Sequence, residues 1–365
     1  MDVAELIAAG VYDPAAPNAA DRLSLLQWLV ERGATRADLV EAHRVGGLLQ
    51  LAARLRTRPG PFLTLAESAA RIGMPLADLQ TFCLAFGLPP RPADAKIFTE
   101  TETDRLGPLV VGVRLFGEAH MRRLARVIGS SIARTTEAMV TTNRESRMAE
   151  LGRQAADEIT RAKAYLEAIE TIRSPMEMME AIFPLHLELA ALRSRHGRQS
   201  FTDETVRACI GFVDLVGSTT LSRRLSAVEL ALVVERFEET AHTIATTRGG
   251  RVVKFIGDEV MFVTSDAAAA CDIALALLEE FAGDPHVTPR GGLAAGELLD
   301  RAGDYYGPVV NLAARVAELA VAGEILVSED VGRAVAAARL RCEPAGRRML
   351  RGFDAPVPVL SVTRA

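Results

Sequence analysis

Lys254 is the only lysine from Phe201 to the C-terminus, in a stretch with sixteen arginines, and four residues later the chain reads Gly257-Asp258-Glu259. An ammonium and a guanidinium are not interchangeable in what they bind. Where nearly every other positive charge is an arginine, this compact donor reads as a group for the edge of a heterocycle, and Asp258 beside it as a ligand for a cation. A second acid, Asp214, ends the apolar run of Phe212-Val213-Asp214-Leu215-Val216-Gly217-Ser218-Thr219. Strand, acid, then glycine and hydroxyls opening a helix is a place to hold a cation and a polyphosphate together. If the two strands lie side by side, Asp214 and Asp258 converge. Two such carboxylates can clamp a pair of divalent ions about 3.5 to 4 Å apart, an arrangement suited to in-line attack at phosphorus. Taken singly, Asp214 reads better as a helix cap and Asp258 as a turn residue, and only their combination with the residues that follow favours a site.

A further constellation lies in Gly303-Asp304-Tyr305-Tyr306-Gly307-Pro308-Val309-Val310-Asn311-Leu312-Ala313-Ala314-Arg315. On a helix begun after Pro308, Asn311 and Arg315 share one face about 6 Å apart along the axis. An amide can orient a sugar, and a guanidinium can meet charge that grows on a phosphoryl group. The ordinary fate of such a pair is an exposed helix face.

The elements that must position these residues are legible in the change of period along the chain. From Ala19 to about Leu192 apolar residues recur three and four apart, as in Leu23, Leu26, Trp28 and Leu29, which predicts an all-helical N-terminal region. Breaks fall at Pro59-Gly60-Pro61, at Pro89-Pro90 with Pro92, and at Gly107-Pro108. Ser174-Pro175-Met176-Glu177 carries a helix-start signature, with Ser174 as cap and Pro175 at the first helical position. Leu63 to Leu79 resembles a helix-turn-helix with Gly73 at its turn. Its second helix offers Asp78 and Gln80 but no arginine for base edges or phosphates, which argues against a DNA reader.

Arg193 to Asp203 is polar and basic and marks the expected linker, with a helical domain over residues 1–192 and a second domain over residues 204–365. Beyond it short apolar runs (Ala208 to Val213, Val252 to Ile256, Val260 to Val263, Gly291 to Ala295, Ile325 to Val327) alternate with helical stretches near Ala227 to Thr247, Ala267 to Phe281, Val309 to Ala320 and Ser328 to Ala337. That alternation predicts an α/β sandwich with helices on a sheet, so the whole chain is of the α+β class.

With those elements in place, residues 204–335 resemble the catalytic domain of class III nucleotide cyclases. The F-x-D-x-x-G-x-T, K-x-x-G-D and N-x-x-x-R signatures all stand here, in the family's order. The resemblance implies a ferredoxin-like domain working as a head-to-tail homodimer with its sites at the subunit interface, and two divalent cations, Mg²⁺ or Mn²⁺. Carried over by position, Asp214 and Asp258 match the metal-binding acids, with the carbonyl of Leu215 completing one shell. Lys254 and Asp304 match the purine-reading pair, Asn311 the ribose-orienting amide, and Arg315 the transition-state arginine. Arg351, in Leu350-Arg351-Gly352-Phe353, matches a basic contact to the terminal phosphate. In such dimers the acids come from one subunit and the other contacts from its partner.

Chemistry gives the Lys254/Asp304 pair a preference. Adenine presents an acceptor at N1 and a donor at its exocyclic amine, suiting a lysine and an aspartate, whereas guanine presents the reverse and leaves both mispaired. The expected reaction is therefore attack of the ribose 3′-hydroxyl of ATP on its α-phosphate, giving cyclic AMP and pyrophosphate. The competing class is a nucleotide-sensing or helix-turn-helix regulator that binds without turnover.

Residues 1–200 hold 25 Lys and Arg against 24 Asp and Glu, and residues 201–365 hold 17 against 23, which gives the C-terminal part a net charge of −6. An acidic second half argues against a nucleic-acid partner there. No uncharged apolar run reaches spanning length, and Cys83, Cys209, Cys271 and Cys342 are scattered among apolar neighbours, as reduced thiols of a cytoplasmic protein would be. The N-terminal region reads as regulatory, similar to mycobacterial-type cyclases in which a helical domain inhibits the enzyme and releases it at acidic pH. His186 and His196, flanking the linker, are the candidate pH-responsive groups. A small ligand or lipid in that domain is left open.

Overall fold

The protein is described here from a computed structural model that covers residues 2–145, 157–195, 205–216, 225–284, 287–336 and 340–365. It divides into two compact units, Met1–Leu185 and His186–Ala365.

The N-terminal unit is built from α1 (Val3–Ala8), α2 (Ala19–Glu31), α3 (Arg36–Arg44), α4 (Leu48–Thr57), β1 (Phe62–Thr64), α5 (Leu65–Ile72), α6 (Leu76–Ala85), β2 (Lys96–Thr99), α7 (Glu100–Arg105), α8 (Pro108–Phe116), α9 (Glu118–Glu145) and the part of α10 (Glu158–Arg195) that precedes His186. Several starts are set by capping boxes in which a hydroxyl or carboxylate accepts from the third helical N–H and the acid there reaches back: Asp2 with Glu5, Thr35 with Asp38, Thr64 with Glu67, Thr99 with Glu102. One buried cluster gathers Leu25, Leu26, Leu29, Leu39 and Leu51 with Ala162 of α10. Another joins Leu65, Leu79 and Phe82 to Leu109 and Ala125.

Two features depart from the sequence expectations. The unit is helical except for β1 and β2, which pair antiparallel on either side of the α5–α6 pair. Each strand is only three or four residues long and runs straight into a capped helix, too short for any period to register. Ser174-Pro175 does not start a helix, because α10 is continuous from Glu158 to Arg195. An interior proline costs on the order of 3 kcal/mol, yet a helix already propagating needs no new nucleus, so the local start signal is overridden. The helix-turn-helix at Gly73 is present, with Gly73 in the left-handed conformation at the end of α5. Its nearby arginines are engaged within the protein: Arg71 with Asp104, Arg58 with Glu102. Among the described residues no helix is long and apolar enough to cross a membrane.

The C-terminal unit comprises β3 (Thr205–Val216), α11 (Ala227–Thr247), β4 (Arg251–Ile256), β5 (Glu259–Thr264), α12 (Ala267–Glu280), β6 (Thr288–Arg301), β7 (Asp304–Tyr306), α13 (Pro308–Leu319), β8 (Ile325–Ser328), α14 (Glu329–Ala334), β9 (Leu340–Arg348) and β10 (Val357–Arg364). The sheet runs β4-β5-β3-β6-β8-β10-β9, with β7 added on β6. Its first four strands connect as β-α-β-β-α-β in the spatial order of a ferredoxin-like fold, and β6–β8 is the parallel pair among antiparallel neighbours. Both faces of β3 and β5 are covered, which explains their unbroken apolar runs. Cys209, Val213, Val260 and Phe262 face the cluster containing Phe237 of α11 and Ala274 of α12. Ala208, Ile210, Phe212 and Met261 face Ala313 and Ala317 of α13. Here α13 lies directly on the sheet: a Cβ at Gly292 of β6 would stand 2.1 Å from the amide nitrogen of Ala317, so glycine is required for this approach.

Candidate active site

Asp214 is the penultimate residue but one of β3, and the ladder sets its neighbours. It stands opposite Glu259 at the start of β5 and opposite Arg290 on β6. Asp258 occupies the turn between β4 and β5, beside Gly257, whose φ of 65° makes the tight reversal. The hairpin tip and the end of β3 thus bring the sequence-derived acids to the same end of adjacent strands. Leu215 has a buried side chain, and its partner on β6 is Pro289, which has no N–H to offer its carbonyl.

The crowding of acids is visible in Glu259. Burial, and then the charges of Asp214, Asp258 and Glu318, push its carboxyl up to about 7, against a smaller opposing pull from Arg290. Glu259 and Arg290 are not among the residues that the sequence motifs single out. Glu259 is adjacent to a chosen acid and was readable as such, whereas Arg290 is identified only through the β3–β6 register. Arg290 Nε donates to both Asp214 carboxylate oxygens at 2.9 and 3.2 Å, and Nη2 to one of them at 3.1 Å.

Lys254 on β4 and Asp304 at the start of β7 come together across fifty residues of sequence, Nζ to carboxylate 2.5 Å. Both are half-buried. Asn311 and Arg315 lie on α13, which Pro308 opens at its first position. With Pro308, Arg351, Gly352 and Phe353 they line a cavity of about 540 Å³. Arg315 also donates to the Glu318 carboxylate one turn on. The structure therefore groups the sequence-derived residues in three: acids at the strand ends, the Lys254–Asp304 pair, and Asn311, Arg315 and Arg351 around a cavity.

The remaining candidates fall elsewhere. His186 is exposed on α10, and His196, like Gly217, Ser218 and Thr219, lies outside the described residues. Among the described residues no set of three or more His, Cys, Asp or Glu is arranged to hold a metal by itself.

The profile of the adenylate and guanylate cyclase catalytic domain matches residues 202–359. An adenylate cyclase of Streptomyces coelicolor is 34% identical over 83% of this chain and 77% of its own length. The chain belongs to the class III adenylate cyclase family. The likeness extends past the catalytic domain. A pH-sensitive adenylate cyclase of Mycobacterium tuberculosis is 30% identical over 94% of this cyclase and 88% of that protein. An uncharacterized protein of the same organism is 33% identical over 98% and 93%.

Proposed function

We propose that this cyclase converts ATP to 3′,5′-cyclic AMP and pyrophosphate as a homodimer, each site taking its acids from one chain and its purine, ribose and phosphate contacts from the other, under control of the N-terminal unit. The observation that carries the choice of substrate is the Lys254–Asp304 pair. When adenine enters, the ammonium donates to N1 and the carboxylate accepts from the exocyclic amine. Guanine offers a donor and an acceptor in the opposite places, so both protein groups lose their partners in a half-buried pocket.

The acids fit a divalent cation on chemical grounds. Asp214, Asp258 and the Leu215 carbonyl are hard oxygen donors, and the raised Glu259 carboxyl reports a local excess of negative charge that a cation would neutralise. Mg²⁺ or Mn²⁺ held by these oxygens would supply Lewis acidity toward the ribose 3′-hydroxyl and the triphosphate. Asn311 orients the ribose, holding its 3′-oxygen in line with the α-phosphorus. Arg315 meets the charge that develops on the α-phosphoryl group, and Arg351 across the same cavity holds the terminal phosphate. The 3′-hydroxyl gives up its proton to solvent, its oxygen bonds to the α-phosphorus as the bond to the departing pyrophosphate breaks, and no protein nucleophile takes part.

An assay of the intact protein with ATP and with GTP tests the substrate. Mixing Asp214→Ala with Arg315→Ala chains tests the shared sites, since each mutant homodimer is dead and only the mixed dimer keeps one whole site. No turnover from that mixture overturns the dimeric arrangement. Control by pH is supported by the relative named as pH-sensitive, and His186 and His196 are the groups assigned to it. Replacing both by asparagine in the full-length chain should flatten the activity profile between pH 5.5 and 8, and an unchanged profile removes them from the proposal. A second cavity, about 240 Å³ and lined by Arg22, His43 and Glu158 among others, lies in the N-terminal unit. Leu25, Leu48 and Leu49 complete its lining, and its size suits a small ligand.

A further inference from the structure

Arg290 belongs to neither set of site residues, yet it touches an element of each. While two of its nitrogens hold the Asp214 carboxylate, Nη1 donates to the carbonyl oxygens of Glu318 at 3.2 Å and Ala320 at 3.0 Å. Those carbonyls belong to the C-terminal end of α13, where helix geometry leaves acceptors without intrahelical donors. The Glu318 side chain in turn accepts from Arg315. One chain therefore contains a continuous polar path from Asp214 through Arg290 and Glu318 to Arg315. Only a guanidinium has the planar fork of donors to grip a carboxylate on one side and two carbonyls on the other.

We propose that Arg290 is a positioning residue that couples the two sites of the dimer. This rests on the shared-site reading above. In that arrangement Asp214 serves one crevice while Arg315 of the same chain serves the other. A change in the Asp214 carboxylate at one site is then passed, through Arg290 and the last turn of α13, to the arginine working at its twin. Arg290 touches no substrate. It sets the pose of groups that do, and an ångström of misplacement at such groups is enough to slow a reaction.

Mixed dimers separate this from a simple clasp holding α13 to the sheet. One chain carries Asp258→Ala and the other Asn311→Ala with Arg315→Ala, so the single whole site takes its acids from the second chain and its other contacts from the first. Absence of turnover from this parent pair overturns the dimeric reading and the coupling with it. Given turnover, Arg290→Lys is introduced into either chain. In the second chain it sits beside the live acids, and the Mn²⁺ concentration for half-maximal activity should rise roughly tenfold. In the first chain it sits beside the live helix, where kcat should fall roughly tenfold with Mn²⁺ dependence unchanged. Identical signatures from both placements, or no effect from the first, overturn the proposal. Two measurements accompany these assays on the Arg290→Lys homodimer without nucleotide. Its melting temperature should stay within a few degrees of the parent, and its Mn²⁺ affinity by electron paramagnetic resonance should weaken roughly tenfold. Unchanged affinity refutes the role assigned to Arg290 at Asp214.

Discussion

Two glutamates, one in each unit, are each drawn out of water and have been driven in opposite directions. Glu158 at the start of α10 is gripped by Arg22, Nε to carboxylate 2.7 Å and Nη2 2.9 Å, with Asn18 donating a third bond at 3.0 Å. The Arg22 hydrogen bonds hold its carboxyl below the usual range despite the opposing effect of burial. Glu259 at the start of β5 is pushed up by burial first and then by the charges of Asp214, Asp258 and Glu318, and its carboxyl rises to about 7. A charge that only has to hold a fold together is answered by a partner of opposite sign. One that is left among like charges marks a place where the missing positive charge comes from outside the chain. On this view Glu158 is answered within the chain, whereas Glu259 keeps a field of like charge that Arg290, engaged with Asp214, only partly offsets.

The largest expected effect follows directly. Asp258→Ala, which relieves the crowding at the hairpin tip, should cut cyclic AMP formation by roughly 10³-fold. It should also leave the melting temperature of the metal-free protein equal or higher, because a repelling charge is gone. A variant that loses activity only in proportion to lost folding would place Asp258 with the structural charges. Next comes the purine pair. Lys254→Glu puts an acceptor where adenine N1 needs a donor, and the ratio of ATP to GTP turnover should drop by roughly 10²-fold. A uniform loss with both nucleotides would mean that Lys254 holds Asp304 in place and reads nothing.

The two glutamates also show what a sequence can and cannot disclose. Asp214, Lys254, Asp258, Asn311 and Arg315 stand out in the sequence because each falls in a short motif, whereas the pairing of Lys254 with Asp304, fifty residues apart, is expected only from the family resemblance. The sheet's central strands were readable from apolar runs, and the span of α11 from its capping serine and its period. Arg290 was not, because its importance comes from the β3–β6 register, seventy-six residues apart in the chain. The β9–β10 edge pair escaped for another reason. Much of β9 is exposed, so it carries no buried stripe to betray it. Pro175 misled because a capping signature is a local preference, and α10 is decided by its whole length.

A smaller effect tests the structural half of the contrast. Arg22→Met leaves Glu158 without its main partner and should destabilise the N-terminal unit by about 1–3 kcal/mol. The folded pKa of Glu158 lies below its ordinary 4.5, so the ion pair contributes fully above that value and is lost as pH falls through the lowered one. The difference in melting temperature between parent and Arg22→Met should therefore be widest at neutral pH and close below about pH 4.5. A gap independent of pH would mean that Arg22 acts through packing of its stem alone.

Glu259→Gln should give the smallest change and the opposite sign. With a folded pKa of about 7 against an ordinary 4.5, the wild-type carboxyl binds its proton more tightly in the folded state. Its protonated form helps stability below pH 4.5, and that help is lost as pH climbs through 7. A glutamine keeps the neutral form at every pH. In EDTA, with no cation to offset the acids, the melting temperature of the parent should decline between pH 5 and pH 8 relative to Glu259→Gln, leaving the variant the more stable at pH 8. Added Mn²⁺ should then narrow that gap, since a cation among Asp214, Asp258 and Glu259 neutralises the same repulsion that the substitution removes. If Mn²⁺ raises the two melting temperatures equally, Glu259 does not share the field of the acids that hold the metal, and its raised pKa is an effect of burial alone.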